Sequence, residues 1–237
     1  MTPAEEQVKN DAIAFARSNK KAIGKRRTDK EHFPPEEAPV SVFMAGSPGA
    51  GKTEASMALV NLFADTSILR IDPDELRNEF ETYTGGNSWL FQGAVSILVE
   101  KILDFAIAQR QSFLLDGTFS NLDVARRNVD RSLGKGRYVQ ILYVYQNPIL
   151  AWGFVKAREE AEGRRIRPEH FVDQYFAARD VVNALKLEYG GDVHVDLLVK
   201  HIDNTGRLYK AGVDKIDYHI PEQYTRADLT AMLGLEH

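Results

Sequence analysis

One eight-residue segment of this chain has the residue types and the spacing needed to hold a nucleoside triphosphate. Its pattern is G-x-x-x-x-G-K-[ST], and its residues are Gly46, Ser47, Pro48, Gly49, Ala50, Gly51, Lys52 and Thr53. Glycines let backbone N–H groups wrap around a phosphate, the lysine reaches the terminal phosphates, and the threonine hydroxyl binds Mg²⁺. An apolar segment (40–44) precedes the motif, and a helical pattern (53–64) follows it. This setting favours a phosphate-binding loop over a glycine-rich turn.

Two further apolar segments lead into carboxylates, at Asp74 and at Asp116. Because the ligand crevice of a parallel sheet lies at the carboxyl ends of its strands, we expect both acids beside the phosphate loop. One acid at this edge could accept the proton of an attacking hydroxyl while the other holds or orients Mg²⁺. Asp116, which ends an apolar strand and precedes a glycine, is typical of an acid that holds Mg²⁺ together with Thr53. The alternatives are a helix cap at Asp74 and a turn-initiating residue at Asp116.

A basic cluster appears later in the chain. Arg158 lies in a predicted helix, and Arg165 lies in the segment 163–168 that follows it. The planar fork of arginine matches phosphoryl oxygens, so the cluster predicts a helical lid, at about 150–170, that closes on phosphates. The alternative is a charged surface helix whose cations pair with Glu159 and its acidic neighbours.

The elements that position these residues alternate between strands and helices. This alternation favours an α/β fold with a mainly parallel five-stranded sheet and helices on both faces. The five strands are predicted at 40–44, 67–71, 112–115, 138–145 and 193–199.

Three parts of the chain are distinguished by composition. Residues 1–38 are expected to form an N-terminal helix followed by a basic linker, and residues 39–234 to form the main domain. The last three residues, 235–237, resemble the remnant of an expression tag and are set aside.

Composition narrows the class of protein. The formal net charge of −4 argues against a general binder of nucleic acid or of membrane surfaces. The absence of cysteine excludes disulfides and thiol chemistry. There is no signal-peptide pattern and no apolar stretch of membrane-spanning length, so we expect a cytoplasmic protein.

Taken in order, these motifs resemble the zeta-toxin family of kinases, bacterial enzymes that phosphorylate UDP-N-acetylglucosamine. The resemblance runs from about Val40 to Asp173. It is carried by the phosphate loop, Asp72-Pro73-Asp74, Glu100, Asp116-Gly117-Thr118, Arg158 and Arg165-Ile166-Arg167-Pro168. The resemblance implies a P-loop kinase fold, ATP and Mg²⁺ as cofactors, and an antitoxin protein that covers the N-terminal region.

The resemblance also implies roles for individual residues. The catalytic residues it implies are Lys52, Asp74 as general base, and the phosphate clamp Arg158 and Arg165. The residues it implies on the substrate side are Glu100, Asp116, Thr118 and Ser120. The chain departs from the family twice, because Asp116 replaces a glutamate and Ser120 stands where family members commonly carry an arginine.

We therefore expect an ATP-dependent kinase that phosphorylates a hydroxyl of a small molecule, with a UDP-N-acetyl sugar favoured. One alternative keeps the chemistry but changes the acceptor to a nucleoside, an antibiotic or a nucleic-acid 5′-hydroxyl. Another is a nucleotide-dependent switch ATPase with no acceptor. The presence of Arg158 and Arg165 in the same chain argues against a switch that borrows an arginine from a partner.

Overall fold

The computed structural model describes residues 1–62, 67–163, 165–200 and 207–234. The expected tag remnant at 235–237 lies outside these ranges. The helices are α1 (Pro3–Arg27), α2 (Lys52–Leu62), α3 (Gln92–Ala108), α4 (Leu122–Leu133), α5 (Pro148–Glu162), α6 (Pro168–Tyr189) and α7 (Arg226–Met232). The strands are β1 (Val40–Ala45), β2 (Leu69–Ile71), β3 (Phe113–Leu115), β4 (Tyr138–Tyr145), β5 (Val193–Lys200) and β6 (Arg207–Lys210). Short 3₁₀ helices occur at Glu75–Glu79, Ser88–Phe91, Gly190–Asp192 and Ile216–Tyr218.

The strands form one sheet in the order β2-β3-β1-β4-β5-β6. The first five strands pair in parallel, as predicted, and β6 runs antiparallel to β5. The expectation of five strands is therefore wrong by one. The sixth strand is a four-residue edge strand whose Leu208 and Tyr209 are largely exposed, so it lacks the apolar pattern that marks a buried strand.

Helices cover both faces of the sheet, as the alternation predicts. Successive side chains of a strand point to opposite faces. In β1, Phe43 and Ala45 join a large core with α1, α3, α4 and α6. Val42 and Met44 join a smaller core to which α2 contributes. The phosphate loop leaves the carboxyl end of this central strand, so its base is anchored by both cores.

The N-terminal helix is longer than residues 3–18, the range that the sequence pattern predicts, and includes most of the basic segment 20–30 that we assigned to a linker. It begins with a capping box at Thr2 and Glu5 and continues to Arg27. Its buried stripe, which includes Ala12, Ala16 and Ile23, packs against α3. Lysine and arginine are good helix formers, so once that stripe is buried the helix continues through the basic residues.

No helix in the described ranges combines the length and the apolarity that a membrane crossing needs.

Candidate active site

The phosphate loop has a shape that only glycine allows at two positions. Gly46, Gly49 and Gly51 have φ angles of 136°, 72° and 78°, in the left-handed region. A Cβ atom at Gly46 would overlap the carbonyl oxygen of Val144, and one at Gly49 would overlap that of Ala151. The loop can therefore wrap closely only because these residues lack side chains.

Lys52 is buried beside this loop. Its Nζ donates to the carbonyl oxygens of Gly46, at 3.0 Å, and of Ser47, at 2.7 Å. Burial lowers the pKa of Lys52 to about 8, although the charges of Asp116 and Asp74 oppose that shift. The lysine is thus held within the loop that would cradle the phosphates, and near neutral pH it carries its charge.

An open cavity of about 640 Å³ lies in front of the loop. Three of the predicted site residues, Thr53, Asp74 and Arg158, line it together. Asp72 and Tyr83 also line it, with Glu75, Asn78, Thr84 and Gly85. A cavity of this size is typical of small-molecule sites.

Asp74 faces this cavity between two arginines. Arg77 Nη1 donates to Oδ1 of Asp74, and Nη2 of Arg158 lies 3.9 Å from Oδ2. The Asp74 side chain is 41% exposed, and it makes no capping hydrogen bond to the 3₁₀ helix that follows it. An acceptor could therefore reach its carboxylate. The sequence reasoning missed Arg77, although its spacing of three residues from Asp74 on a helix was a usable signal.

The other two acids lie deeper and share one arginine. Asp116 Oδ2 accepts from Ser56 Oγ and from Arg70 Nη2, each at 2.7 Å. Arg70 Nη2 also donates to Asp72 Oδ2 at 2.6 Å. Burial raises the pKa of Asp72, while the hydrogen bond from the Asp74 amide and the Arg70 charge oppose that shift. Arg70 was also missed, and its signal was a charged residue inside the apolar strand β2.

The oxygen donors at the site fit Mg²⁺ as it is bound in phosphate-transfer sites. The Thr53 hydroxyl lines the cavity, and the Asp116 carboxylate lies behind the loop, 4% exposed. No group of three or more histidine or acidic side chains in the described part of the chain could by itself hold a metal ion. Mg²⁺ commonly uses one or two protein oxygens together with substrate phosphates, so such a group is not required.

The loop after β3 lies against the phosphate loop. The amide of Gly46 donates to the carbonyl oxygen of Thr118 at 3.3 Å, and the hydroxyls of Thr118 and Ser120 are 3.1 Å apart. Between them Phe119 adopts a φ of 57° and stacks on Phe43. The structure therefore places two of the residues implied on the substrate side next to the nucleotide loop.

Glu100 and Arg165 do not line the cavity. Glu100, in the middle of α3, is about half exposed and accepts from Arg127 at 2.8 Å. The Arg165 side chain is 75% exposed, with its Nε 3.6 Å from Glu159 Oε1. That pairing matches the surface alternative for Arg165. The roles implied for these two residues stay predictions.

Transfer of a phosphoryl group from ATP is the chemistry that this fold and this loop serve, and the chain is a P-loop kinase. It belongs to the zeta toxin family, whose family model, described as Zeta toxin, matches residues 24–214.

Solved structures of similar fold include one from a toxin-antitoxin system and several of a two-protein complex. The PezAT chromosomal toxin-antitoxin system of Streptococcus pneumoniae matches with 17% identity and a TM-score of 0.60, over 99% of this chain and 94% of that chain. The AvrRxo1-ORF1:AvrRxo1-ORF2 structure with sulphate ions matches with 14% identity and a TM-score of 0.59, over 92% and 72%. A structure of that complex with ATP matches with 14% identity and a TM-score of 0.58, over 90% and 70%. None of the curated proteins matches this chain.

Proposed function

We propose that this chain transfers the γ-phosphoryl group of ATP to a hydroxyl of a UDP-N-acetyl sugar. The observation that carries the proposal is the single cavity that Thr53, Asp74 and Arg158 line at the end of the phosphate loop. A nucleotide contact, a carboxylate and an arginine on one cavity are what transfer to a hydroxyl requires. The sugar nucleotide is favoured because Asp74, Thr118 and Arg158 correspond to the family motifs.

In the proposed reaction, the acceptor hydroxyl oxygen forms a bond to the γ-phosphorus while the bond from that phosphorus to the β,γ-bridging oxygen breaks. The proton of the hydroxyl passes to the Asp74 carboxylate, and ADP leaves with the bridging oxygen. Asp74 suits this role better than Asp72, because its side chain is 41% exposed whereas that of Asp72 is 9% exposed and paired with Arg70.

Positive groups would offset the charge that spreads over the transferring phosphoryl oxygens. Lys52 and the loop amides would serve the nucleotide side, and Arg158 lines the cavity together with Thr53. Thr53 and Asp116 would hold Mg²⁺, which, when bound, neutralises charge on the phosphates.

The test is to incubate the protein with ATP, Mg²⁺ and UDP-N-acetylglucosamine and to measure the sugar nucleotide by mass spectrometry. A mass gain of one phosphoryl group, lost in Asp74→Asn, is the expected result. UDP-glucose, which lacks the N-acetyl group, is the matched control acceptor. Consumption of ATP on a nucleoside or an oligonucleotide, with no gain on the sugar nucleotide, would overturn the choice of acceptor.

Ser120 offers a second test of the acceptor. An arginine commonly stands at this position in the family, and Ser120 lies beside Thr118 next to the phosphate loop. A charged hydrogen bond to an acceptor phosphate is worth roughly ten- to a hundredfold in affinity. Ser120→Arg should lower the acceptor KM if a sugar nucleotide occupies this side of the site. An unchanged KM would place the acceptor elsewhere.

We also propose that an antitoxin protein covers the N-terminal region. PezAT is described as a toxin-antitoxin system, and AvrRxo1-ORF1 was solved in complex with AvrRxo1-ORF2. In this chain α1 buries one stripe against α3 and leaves residues such as Arg17 and Lys21 exposed. Coexpression with the product of the neighbouring gene, followed by hydrogen exchange, should show protection of α1. A complex that protects only other segments would contradict this position.

A further inference from the structure

Arg77 lies directly beside the proposed base. It follows Asp74, the N-cap residue, by three positions and lies in the middle of the 3₁₀ helix Glu75–Glu79, in which side chains three residues apart are eclipsed. Its Nη1 donates to Oδ1 of Asp74. The Arg77 side chain is only 12% exposed, whereas that of Asp74 is 41% exposed. The arginine is therefore the less exposed member of the pair and contacts the proposed base from the interior of the protein.

A second contact joins Arg77 to the start of α3. Its Nη2 donates to Oε1 of Gln92 at 3.3 Å, and Gln92 is the first residue of α3. The helix α3 packs on α1 and contributes much of the large core. The orientation of the Asp74 carboxylate is therefore linked, through Arg77, to the first residue of a helix that packs in the core.

The second carboxylate oxygen faces a different arginine. Oδ2 of Asp74 is 3.9 Å from Nη2 of Arg158, longer than a hydrogen bond. Arg158 is 46% exposed and lies on α5, whereas the Arg77 side chain is 12% exposed, so Arg158 is the more easily displaced of the two. The phosphates of ATP carry more charge than one carboxylate, and they would draw Arg158 away from Asp74.

We propose that Arg77 is a positioning residue that holds Oδ1 of Asp74 and so fixes the orientation in which the carboxylate meets the acceptor hydroxyl. The inference rests on the proposed role of Asp74 as the base. The two arginines therefore have different roles. Arg158 binds the phosphates, and Arg77 affects the reaction only by orienting Asp74.

A double-mutant cycle tests this division. Turnover is measured at saturating ATP with UDP-N-acetylglucosamine for the wild type, Asp74→Asn, Arg77→Gln and the double variant. If that sugar nucleotide is not phosphorylated, the same cycle is measured on ATP hydrolysis, in which Asp74 takes the proton of water. Arg77→Gln should lower kcat about ten- to a hundredfold with the ATP Kd unchanged, the usual effect of losing one charged hydrogen bond. In the Asp74→Asn background it should change kcat by less than about twofold.

Two further variants separate positioning from folding. Arg77→Lys keeps the charge and should restore part of kcat. Arg131→Gln is the matched control, because Arg131 pairs with Asp104 on the surface, at 2.6 Å, and its loss should leave kcat unchanged. If circular dichroism shows that Arg77→Gln does not fold, Gln92→Leu takes its place, because it removes only the contact of Arg77 with α3. Gln92→Leu should lower kcat by a smaller factor, and that loss should disappear in the Asp74→Asn background.

The failures are distinguishable. Equal losses from Arg77→Gln in both backgrounds, or a fall in ATP affinity that matches the fall in kcat, would overturn the positioning role and leave the proposed function standing. A wild-type kcat in Asp74→Asn would instead overturn the proposed base, and the role of Arg77 with it.

Discussion

The phosphate loop and the substrate side of this protein were expected from the same sequence but are built in different ways. The phosphate loop is one continuous segment, and its glycine φ angles and close backbone contacts define its shape locally. The residues expected beyond it, Glu100, Thr118, Ser120 and Arg165, come from three separate segments. The structure places Thr118 and Ser120 beside the loop, and Glu100 and Arg165 on the exposed surface.

The difference shows how far a motif can be trusted. A contiguous motif fixes the relative positions of its own atoms, because each residue is tied to the next by the backbone. A dispersed set depends on the packing of several elements, and here that packing joins Arg70 to Asp116, a contact that no motif indicated. Four measurements would break or sharpen this contrast.

The largest effect is expected at the base. Asp74→Asn should lower kcat by about 10²–10⁴-fold, the usual share of general acid–base catalysis, and should leave ATP binding near the wild-type value. Turnover assays with calorimetric titration of ATP would measure both. Asp72→Asn is the matched variant, because Asp72 is buried against Arg70, and it should lose less turnover. The reverse ranking of the two acids would show that the wrong carboxylate was assigned.

The next effect separates the two arginines of the expected clamp. Arg158→Ala should lower kcat by about 10²–10³-fold, because it removes a donor that faces the developing charge. Arg165→Ala should stay within about threefold if Arg165 keeps its place on the surface beside Glu159. Comparable losses of kcat in both variants would show that the lid closes and brings Arg165 to the phosphates. Arg165 would then no longer be a motif residue that lies away from the site.

The third effect is the pH dependence of ATP affinity, which tests the role of Lys52 in the phosphate loop. Burial lowers the pKa of Lys52 to about 8, and bound phosphates would favour its protonated form and raise that pKa. Below pH 8 the lysine is charged with or without ATP, so this group adds no pH dependence. Above pH 8 binding must take up a proton, and ATP affinity should fall by up to about tenfold per pH unit.

Calorimetry in two buffers of different ionisation enthalpy at pH 9 would measure this proton uptake. The wild type should approach one proton for each ATP bound, and Lys52→Ala should lose the uptake together with much of its affinity. The same uptake in Lys52→Ala would assign the proton to another group.

The smallest effect is expected at Glu100. Its ion pair with Arg127 is about half exposed, and exposed pairs contribute little to stability. Glu100→Gln should therefore change the melting temperature and the acceptor KM only slightly, with KM within about threefold. Arg127→Gln is the matched control, since it removes the same pair from the other side. A large rise of KM in Glu100→Gln alone would show that this residue contacts the acceptor.

Much of the fold was predictable because its elements carry strong local patterns. The phosphate loop, the five parallel strands and the helices on both faces follow from apolar periodicity and glycine spacing. Two elements were mispredicted for opposite reasons. The edge strand β6 is short and exposed, so its sequence carries little apolar pattern. The end of α1 is rich in basic residues, which is typical of a linker, but it is helical, and the helix buries Ala16 and Ile23 in the core.

By itself the sequence determined the phosphate loop, the class of kinase and the acids that could serve it, because backbone geometry and residue chemistry act over a few neighbouring positions. Only the tertiary structure decided how exposed each of those acids is and what it pairs with. It placed Asp74 on the cavity between Arg77 and Arg158, and it tied Asp72 and Asp116 to Arg70. Those pairings join residues up to 84 positions apart, as for Asp74 and Arg158, and such contacts arise only when separate strands and helices pack on a common core.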